Sequence, residues 1–399
     1  MIVGIDASNI RDGGGLSHLK ELLAAAIPLK QGVDRVLVWG ERTTLDELPE
    51  APWLSKQHEP WLDRSLRYRV LWQRWQLPRL ARQAGCTMLF CPGGLAPTGF
   101  RPVVTMCRNL LPFEWREMRR YGMSWLFFRL LLLRWAQATS FRQADGVIFL
   151  TRYAEERVRL IVGTMTGASV VIPHGVSERF FCKPRPPHLV IRGSQCPSFR
   201  ILYVSIIDVY KHQWHVAAAV ARLRREGLPV TLELVGPAYR PALRHLEATV
   251  RQIDPTGECI HYRGFVRYDQ LPSVYQEADL FVFASSCENL PNILLESMAA
   301  GLPIACSNRG PMPEVLGEAG VYFDPEDPED IARALRELIE SPELRGEKAH
   351  MAFERALQYS WRRCADETFA FLASVANGAR SRVARNARRS VREAGVSER

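Results

Sequence analysis

LFVFASSCENLPNILLESMAAGLPIAC, residues 280–306, runs from an apolar strand through a polar loop into a helix and out to a second apolar strand. Strand, loop, helix, strand is the building unit of a parallel α/β sheet. Glu288 falls in the loop at the carboxyl end of the first strand, and Glu296 falls inside the helix. Pro291 suits the first helical turn, where its missing N–H would have no partner anyway. The free N–H groups of that turn carry partial positive charge and favour phosphate oxygens. At about 1.5 Å per residue, Glu296 lies roughly a turn and a half to two turns from the mouth. Two carboxylates at different depths can grip two sets of hydroxyls on one elongated ligand. A sugar nucleotide offers such an outline: hexose hydroxyls, a central diphosphate and a ribose diol. Taken alone, the pair reads more plainly as a solvated loop acid and a helix-surface acid, so the surroundings must decide.

The same rhythm extends in both directions. IVGID (2–6), VLVWG (36–40), MLFC (88–91), VVTM (103–106), GVIFL (146–150) and SVVI (169–172) alternate with helical patterns. A Pro- and Gly-rich stretch, KPRPPHLVIRGSQCPSF (183–199), interrupts them, and ILYVS (201–205), VTLELVG (230–236), LFVFA (280–284) and LPIAC (302–306) resume. The expected fold is α/β, with two Rossmann-like doubly wound domains facing across a cleft lined by strand carboxyl ends. The expected boundaries are 1–182, a linker at 183–199, and a second domain at 200–358. A final helix at 359–377 is expected to cross back to the first domain, with a basic tail at 378–399. In DIARALRELIE (330–340), Ile331, Ala334, Leu335 and Leu338 recur at i, i+3, i+4 and i+7, the mark of a helix facing the core.

Composition sets the class. The 399 residues are 47% hydrophobic and 24% charged, enough for two cores. Met1 to Asp6 already reads as a buried strand and not as a leader, which points to the cytoplasm. Nine cysteines (86, 91, 107, 182, 196, 259, 287, 306, 364) lack any Cys-x-x-Cys pair and read as reduced core thiols. His212 and His215 have no third ligand near in sequence, so no metal site and no cofactor is expected. The net charge is +9, and the tail after Gly378 carries seven arginines against two glutamates with little to bury, a composition that predicts disorder. Arginines interleaved with aromatics at 61–82 and 115–135 point to partners of negative charge.

The segment from Glu288 to Glu296, followed by SMAAGLPIACSNRGPMPEVLGEAGVYFDPEDPEDIARAL, resembles the donor-binding domain of retaining GT-B glycosyltransferases of the family-4 group. The resemblance runs almost continuously from Ile201 to Trp361. It is looser in DASNIRDGGGLSHLKELL (6–23), ADGVIFLTRYAEERV (144–158) and VVIPHGVSERF (170–180). It implies that Glu288 contacts the transferred sugar and Glu296 the ribose. Backbone amides of Asn292 and Ile293 would help, because Pro291 stands where many members have Gly. Lys211 matches the lysine that neutralises the departing diphosphate, while Ile206 stands where an arginine is expected. Gly14 and Gly15 lie in a glycine run after the first strand, where backbone can approach a phosphate or hydroxyl. His174 in the PHG segment and Asn109 complete the implied substrate contacts. Many members carry a His-Asp pair where this chain has Arg108-Asn109. A guanidinium cannot act as a base at neutral pH, but it pairs with phosphate in two-pronged fashion. Arg108 is therefore assigned to the acceptor's phosphate or the donor's diphosphate.

No Asp-x-Asp stands at a strand end, which disfavours the metal-dependent GT-A design. Leaving-group charge would be met by Lys211, helix dipoles and amides. The run WLFFRLLLL (125–133), broken by Arg129, is too short to span a bilayer; flanked by arginines, it reads either as a core helix or as a surface lying on an anionic membrane. The function implied is transfer of a hexose from a UDP- or GDP-sugar, with retention, to a glycan or lipid-linked acceptor in cell-envelope polysaccharide synthesis. Two alternatives stay open: a sugar-nucleotide 2-epimerase of the same twin-domain shape, and a non-catalytic protein that binds sugar nucleotide or nucleic acid. The tail lacks interleaved aromatics, which argues against nucleic acid.

Overall fold

The computed structural model describes residues 1–11, 13–193 and 198–396, with side chains described as far as residue 379. Contacts group the chain into two units: Met1–Asn109, Leu131–His174 and Trp361–Arg399 form the first, and Leu110–Leu130 with Gly175–Ser360 the second.

The first unit holds a seven-stranded sheet: β1 (Ile2–Asp6), β2 (Arg35–Gly40), β3 (Leu54–His58), β4 (Met88–Cys91), β5 (Val103–Met106), β6 (Gly146–Phe149) and β7 (Ala168–Val171). Their order is β3-β2-β1-β4-β5-β6-β7 and every pairing is parallel. All four residues of β4, β5 and β6 are buried, as expected where helices cover both faces of a parallel sheet.

The second unit holds β8 (Phe199–Val204), β9 (Val230–Val235), β10 (Ile260–Gly264), β11 (Leu280–Phe283), β12 (Ile304–Ser307) and β13 (Val321–Phe323) in the order β10-β9-β8-β11-β12-β13. In both sheets the order reverses beside the first strand, which is the doubly wound pattern. Loops leaving the carboxyl ends of β1 and β4, and of β8 and β11, diverge there and leave room for a ligand.

Six helices matter below: α1 (Gly13–Ala25), α2 (Trp125–Gln143), α3 (Gln213–Arg225), α4 (Asn292–Ala299), α5 (Pro328–Glu340) and α6 (Trp361–Val396). The glycine run does not precede α1; it forms its first turn. In α5 the Asp327 side chain accepts from the Glu329 N–H at 2.9 Å, Pro328 opens the helix, and Ile331, Ala334, Leu335 and Leu338 are buried. Helix α4 ends at Gly301, whose φ of +67° places it in the left-handed region. A Cβ there would stand 2.5 Å from the Cys182 carbonyl oxygen and 2.7 Å from the Pro184 nitrogen, so glycine lets the 182–184 strap lie against the helix end. Helix α6 packs on α1, on the turn Pro28–Gln31 and on β4, all in the first unit. The composition that reads as a disordered tail from residue 378 is carried on helical backbone to Val396, since alanine and arginine are good helix formers. The eight described cysteines are free thiols, six of them buried; Cys196 lies outside the described residues.

Candidate functional site

The second unit's switch point is built by the loops after β8 and β11. The Tyr203 hydroxyl, buried on β8, donates to the Lys211 carbonyl at 2.7 Å, and the Ser286 N–H donates to the Tyr210 carbonyl at 2.9 Å, so the two loops are tied together. Between them the Lys211 ammonium is ion-paired with the Glu288 carboxylate. Its Nζ also lies 5.1 Å from the Tyr210 ring centre and 5.4 Å from that of Phe283, within cation–π range. His212, left-handed at φ +54°, caps α3, and its Nε2 lies 3.0 Å from the Ser286 Oγ. Burial pushes that imidazole down to about 3, so the ring is neutral at physiological pH.

Glu296 sits on α4 and is buried, not on the helix surface. The Tyr275 hydroxyl donates to it at 3.1 Å, and Tyr268, with Arg179 stacked 4.1 Å over its ring, lies beside the same carboxyl. Burial raises this carboxyl to about 7, outweighing the two tyrosines and Arg179. Helix α4 has no side-chain cap: Leu294 and Leu295 both donate to the Pro291 carbonyl, which leaves the Asn292 and Ile293 amides as first-turn N–H groups without an intrahelical acceptor. The buried Asn292 Oδ1 also lacks a partner. Ile206 is partly exposed, and its carbonyl accepts from the Gln213 amide at 2.8 Å.

The 110–130 segment supplies a layer that sequence reading missed. The Glu117 carboxylate accepts from Arg120 Nε at 2.6 Å and from the Ser286 Oγ at 2.7 Å, and the Tyr121 hydroxyl donates to Asp208 at 3.0 Å. Arg116 and Arg120 both pair with Glu326, so two of the arginines read as a basic face share an acid some two hundred residues away, and Arg120 pairs with Glu117 as well.

In the first unit, Gly14, Gly15, Arg108 and His174 come together around α1. A Cβ on Gly15 would stand 3.0 Å from an Arg108 guanidinium nitrogen. His18, unnoticed in the sequence, projects from α1 with its ring 4.5 Å from that of His174, and Trp361 of α6 lies 5.6 Å from both. Burial and the Arg108 charge hold His174 at about 3 and His18 well below its usual value. Asn109 is exposed. His18, His174 and Cys364 bring three potential ligand atoms within 4.8 Å of one another, the one metal-like grouping among the described residues. Its spacing suits a cation, but the neighbouring guanidinium opposes one. His212 and His215 stack at 5.4 Å with no third ligand among the described residues.

Residues 198–341 match the profile of the family described as glycosyl transferases, group 1. The matched residues fall within the second unit. The Lys211–Glu288 pair, Glu296 and the start of α4 all lie among them. The O-antigen chain mannosyltransferase B of Escherichia coli is 34% identical over 109 residues, covering 27% of this chain and 29% of that protein. The chain thus spans under a third of that relative's length. Among solved structures, the sucrose-phosphate synthase of Thermosynechococcus elongatus superposes with a TM-score of 0.71 at 17% identity, covering 94% of this chain and 99% of the other. HepE of Anabaena, solved in complex with UDP-glucose, superposes with a TM-score of 0.70 at 17% identity over 94% and 100%. The fold is therefore GT-B, two Rossmann-like units each built on a parallel sheet.

Proposed function

We propose that the protein is a glycosyltransferase that moves a hexose from a UDP- or GDP-sugar onto a glycan or lipid-linked acceptor in cell-envelope polysaccharide synthesis. The observation that carries this reading is the Lys211–Glu288 pair at the switch point of a group 1 glycosyltransferase domain. Lys211 neutralises the diphosphate as the sugar–oxygen bond breaks, and Glu288 accepts hydrogen bonds from the sugar hydroxyls. The Asn292 and Ile293 amides hold the centre of the donor, and Glu296 takes the ribose diol. Donor binding must separate Lys211 from Glu288, so both arrive at the substrate already oriented. Stabilising the leaving charge with fixed groups is where such a site gains most of its rate. Transfer proceeds on one face of the sugar with retention: the acceptor oxygen bonds to the anomeric carbon, and its proton passes to the leaving phosphate, so no protein base is required. The UDP-glucose complex of the HepE neighbour and the mannosyltransferase relative support a nucleotide-sugar donor and a polysaccharide product.

A lipid-linked acceptor would be met at the cytoplasmic membrane. No helix among the described residues is long and apolar enough to cross a membrane. In α2, Trp125, Phe128, Leu132 and Trp135 form an exposed stripe, with Trp125 83% exposed. Trp61, Leu66, Tyr68, Val70, Leu71 and Trp75 are also exposed, in a stretch whose residues 64–83 hold six arginines and no acid. Both fit peripheral contact with anionic lipid.

The reading is tested by thermal shift with UDP, GDP and their common sugars. One nucleotide is expected to stabilise the wild type and not Glu296→Ala, and the matching sugar nucleotide should yield a glycosylated acceptor by mass spectrometry. Isomerisation of the donor without acceptor would count against transfer.

A further inference from the structure

His212 is the one residue other than glycine at positive φ among the described residues, at +54°, a backbone state that is costly for any side chain with a Cβ. It follows Lys211 directly, it is fully buried, and its carbonyl accepts from the His215 and Val216 N–H groups at the start of α3. Strain of this kind persists only where the surroundings impose it. The ring's polar contact is with Ser286, two residues before Glu288: His212 Nε2 lies 3.0 Å from the Ser286 Oγ. That hydroxyl has two further oxygens in reach, the Glu117 carboxylate at 2.7 Å and the Tyr210 carbonyl at 3.2 Å.

Counting protons gives these bonds a direction. Ser286 has one hydroxyl proton to give, and carboxylate and carbonyl oxygens can only accept. The nearer carboxylate takes it in a short charge-assisted bond, and the same Glu117 oxygen accepts from Arg120 Nε at 2.6 Å. Only lone pairs of the Ser286 Oγ then face His212, so Nε2 carries the imidazole proton. Burial keeps the ring neutral, which leaves Nδ1 as a bare lone pair. Nδ1 indeed has no partner, and an N–H there would be buried and unmet. We infer that Glu117 is a positioning residue for transfer: through the Ser286 hydroxyl and the Nε2–H of His212 it holds the loops that carry Lys211 and Glu288 at one separation. Glu117 belongs to the 110–130 segment of the second unit, outside the residues matched to the glycosyltransferase profile. Donor binding has to part the Lys211 and Glu288 side chains; with this series of bonds intact, the backbones stay fixed and only the side chains swing. That the loops serve transfer rests on the reading above, whereas the direction of the hydrogen bonds does not.

The test uses the full chain. Two-bond ¹⁵N–¹H correlations on protein labelled with ¹⁵N-histidine, with His212→Asn to assign the signal, should show His212 at pH 7 as the neutral Nε2–H tautomer. The Nδ1–H tautomer or an imidazolium would overturn the series of bonds. Turnover is read as release of UDP or GDP from UDP-glucose and GDP-mannose, and UDP and GDP affinities by calorimetry. Glu117→Leu should lower kcat by about tenfold or more and nucleotide affinity by less than about threefold, since roughly 1 Å of misplacement is enough to cost about a hundredfold in rate. Glu117→Gln, which keeps an acceptor oxygen, should retain most of the wild-type kcat. Ser286→Ala, which leaves the backbone tie to Tyr210 in place, should lose as much as Glu117→Leu and guards against a leucine variant that fails to fold. The double variant should be no slower than the slower single one. Unchanged kcat in Ser286→Ala, a glutamine variant as slow as the leucine one, or losses that multiply in the double variant would overturn the positioning role. No turnover of either donor by the wild type would refute the transfer reading and the role with it, and the NMR result then decides the hydrogen-bond order by itself. Wild-type turnover with unaffected variants would refute the role alone.

Discussion

The Lys211 ammonium and the Glu288 carboxylate form an ion pair with only 5% and 16% of their side chains exposed. Removing one member leaves the other buried and unpaired, which is the expensive case, while removing both need cost little. Lys211→Met is expected to destabilise the protein by about 3 kcal/mol, and the double variant Lys211→Met/Glu288→Gln to recover most of that. Urea unfolding of the four proteins measures the coupling. If the double variant is as unstable as the sum of the singles, the two groups do not act as a pair. Transfer by Lys211→Met should fall at least about a hundredfold, the usual loss when one charge-stabilising donor is removed.

Glu296 carries a pH dependence of unusual sign. Its carboxyl is raised from 4.5 to about 7 by burial, so between those values the folded chain holds the proton more firmly than the unfolded one. Stability therefore falls as pH rises across that window and levels off above it, by roughly 3 kcal/mol in all. Glu296→Gln should lose this slope and be more stable than the wild type at pH 8, as measured by denaturant midpoints at pH 5 and pH 8. Nucleotide affinity should move the opposite way, tightening through pH 7, because the ionised carboxylate is the better acceptor for ribose hydroxyls. An affinity flat across that range would remove Glu296 from the ribose.

Gly301→Ala would set a methyl group against the backbone of Cys182 and Pro184 and force alanine into the left-handed region. The expected loss is about 2 to 4 kcal/mol. A melting temperature close to that of the wild type would show that the strap yields.

Membrane contact predicts that the protein floats with vesicles containing anionic lipid and not with neutral ones. Trp75→Asp combined with Trp125→Asp should abolish flotation while leaving thermal stability near that of the wild type, since both side chains are mostly exposed. Equal flotation of the variant would place the contact elsewhere.

Central strands were easy to read from sequence because burial on both faces leaves unbroken apolar runs, as in MLFC and LFVF. The strands missed were LSKQH, IHYRG and VYF, all at sheet edges, where one side meets water and polar residues break the run. Glu288 and Glu296 stood out by their places in a loop at a strand's carboxyl end and inside the next helix, and Lys211 by the resemblance to the glycosyltransferase family. Their supports did not: Tyr275, Arg179 and Glu117 arrive from elements distant in sequence, and nothing local announces a side chain's eventual neighbour. Arg120 shows the limit most directly, since its charge reads as free surface until the fold brings Glu326 to it. His18 has a weak local signal, a histidine on the apolar face of a helix, and that pattern ordinarily means core.

After contributing Leu110–Leu130, the backbone returns to the second unit at Gly175 and leaves it at Ser360, with the Val176 N–H donating to the Tyr359 carbonyl at 3.1 Å. In sequence, that unit is inserted as two segments within its neighbour. A ribosome consequently delivers every residue of the inserted body before it delivers Trp361, and the side of α1 that receives α6 stays bare until Trp361 and the residues after it have been made. The second unit has its full sequence in hand while the first is still short of a helix, so during synthesis the second unit can mature before the first.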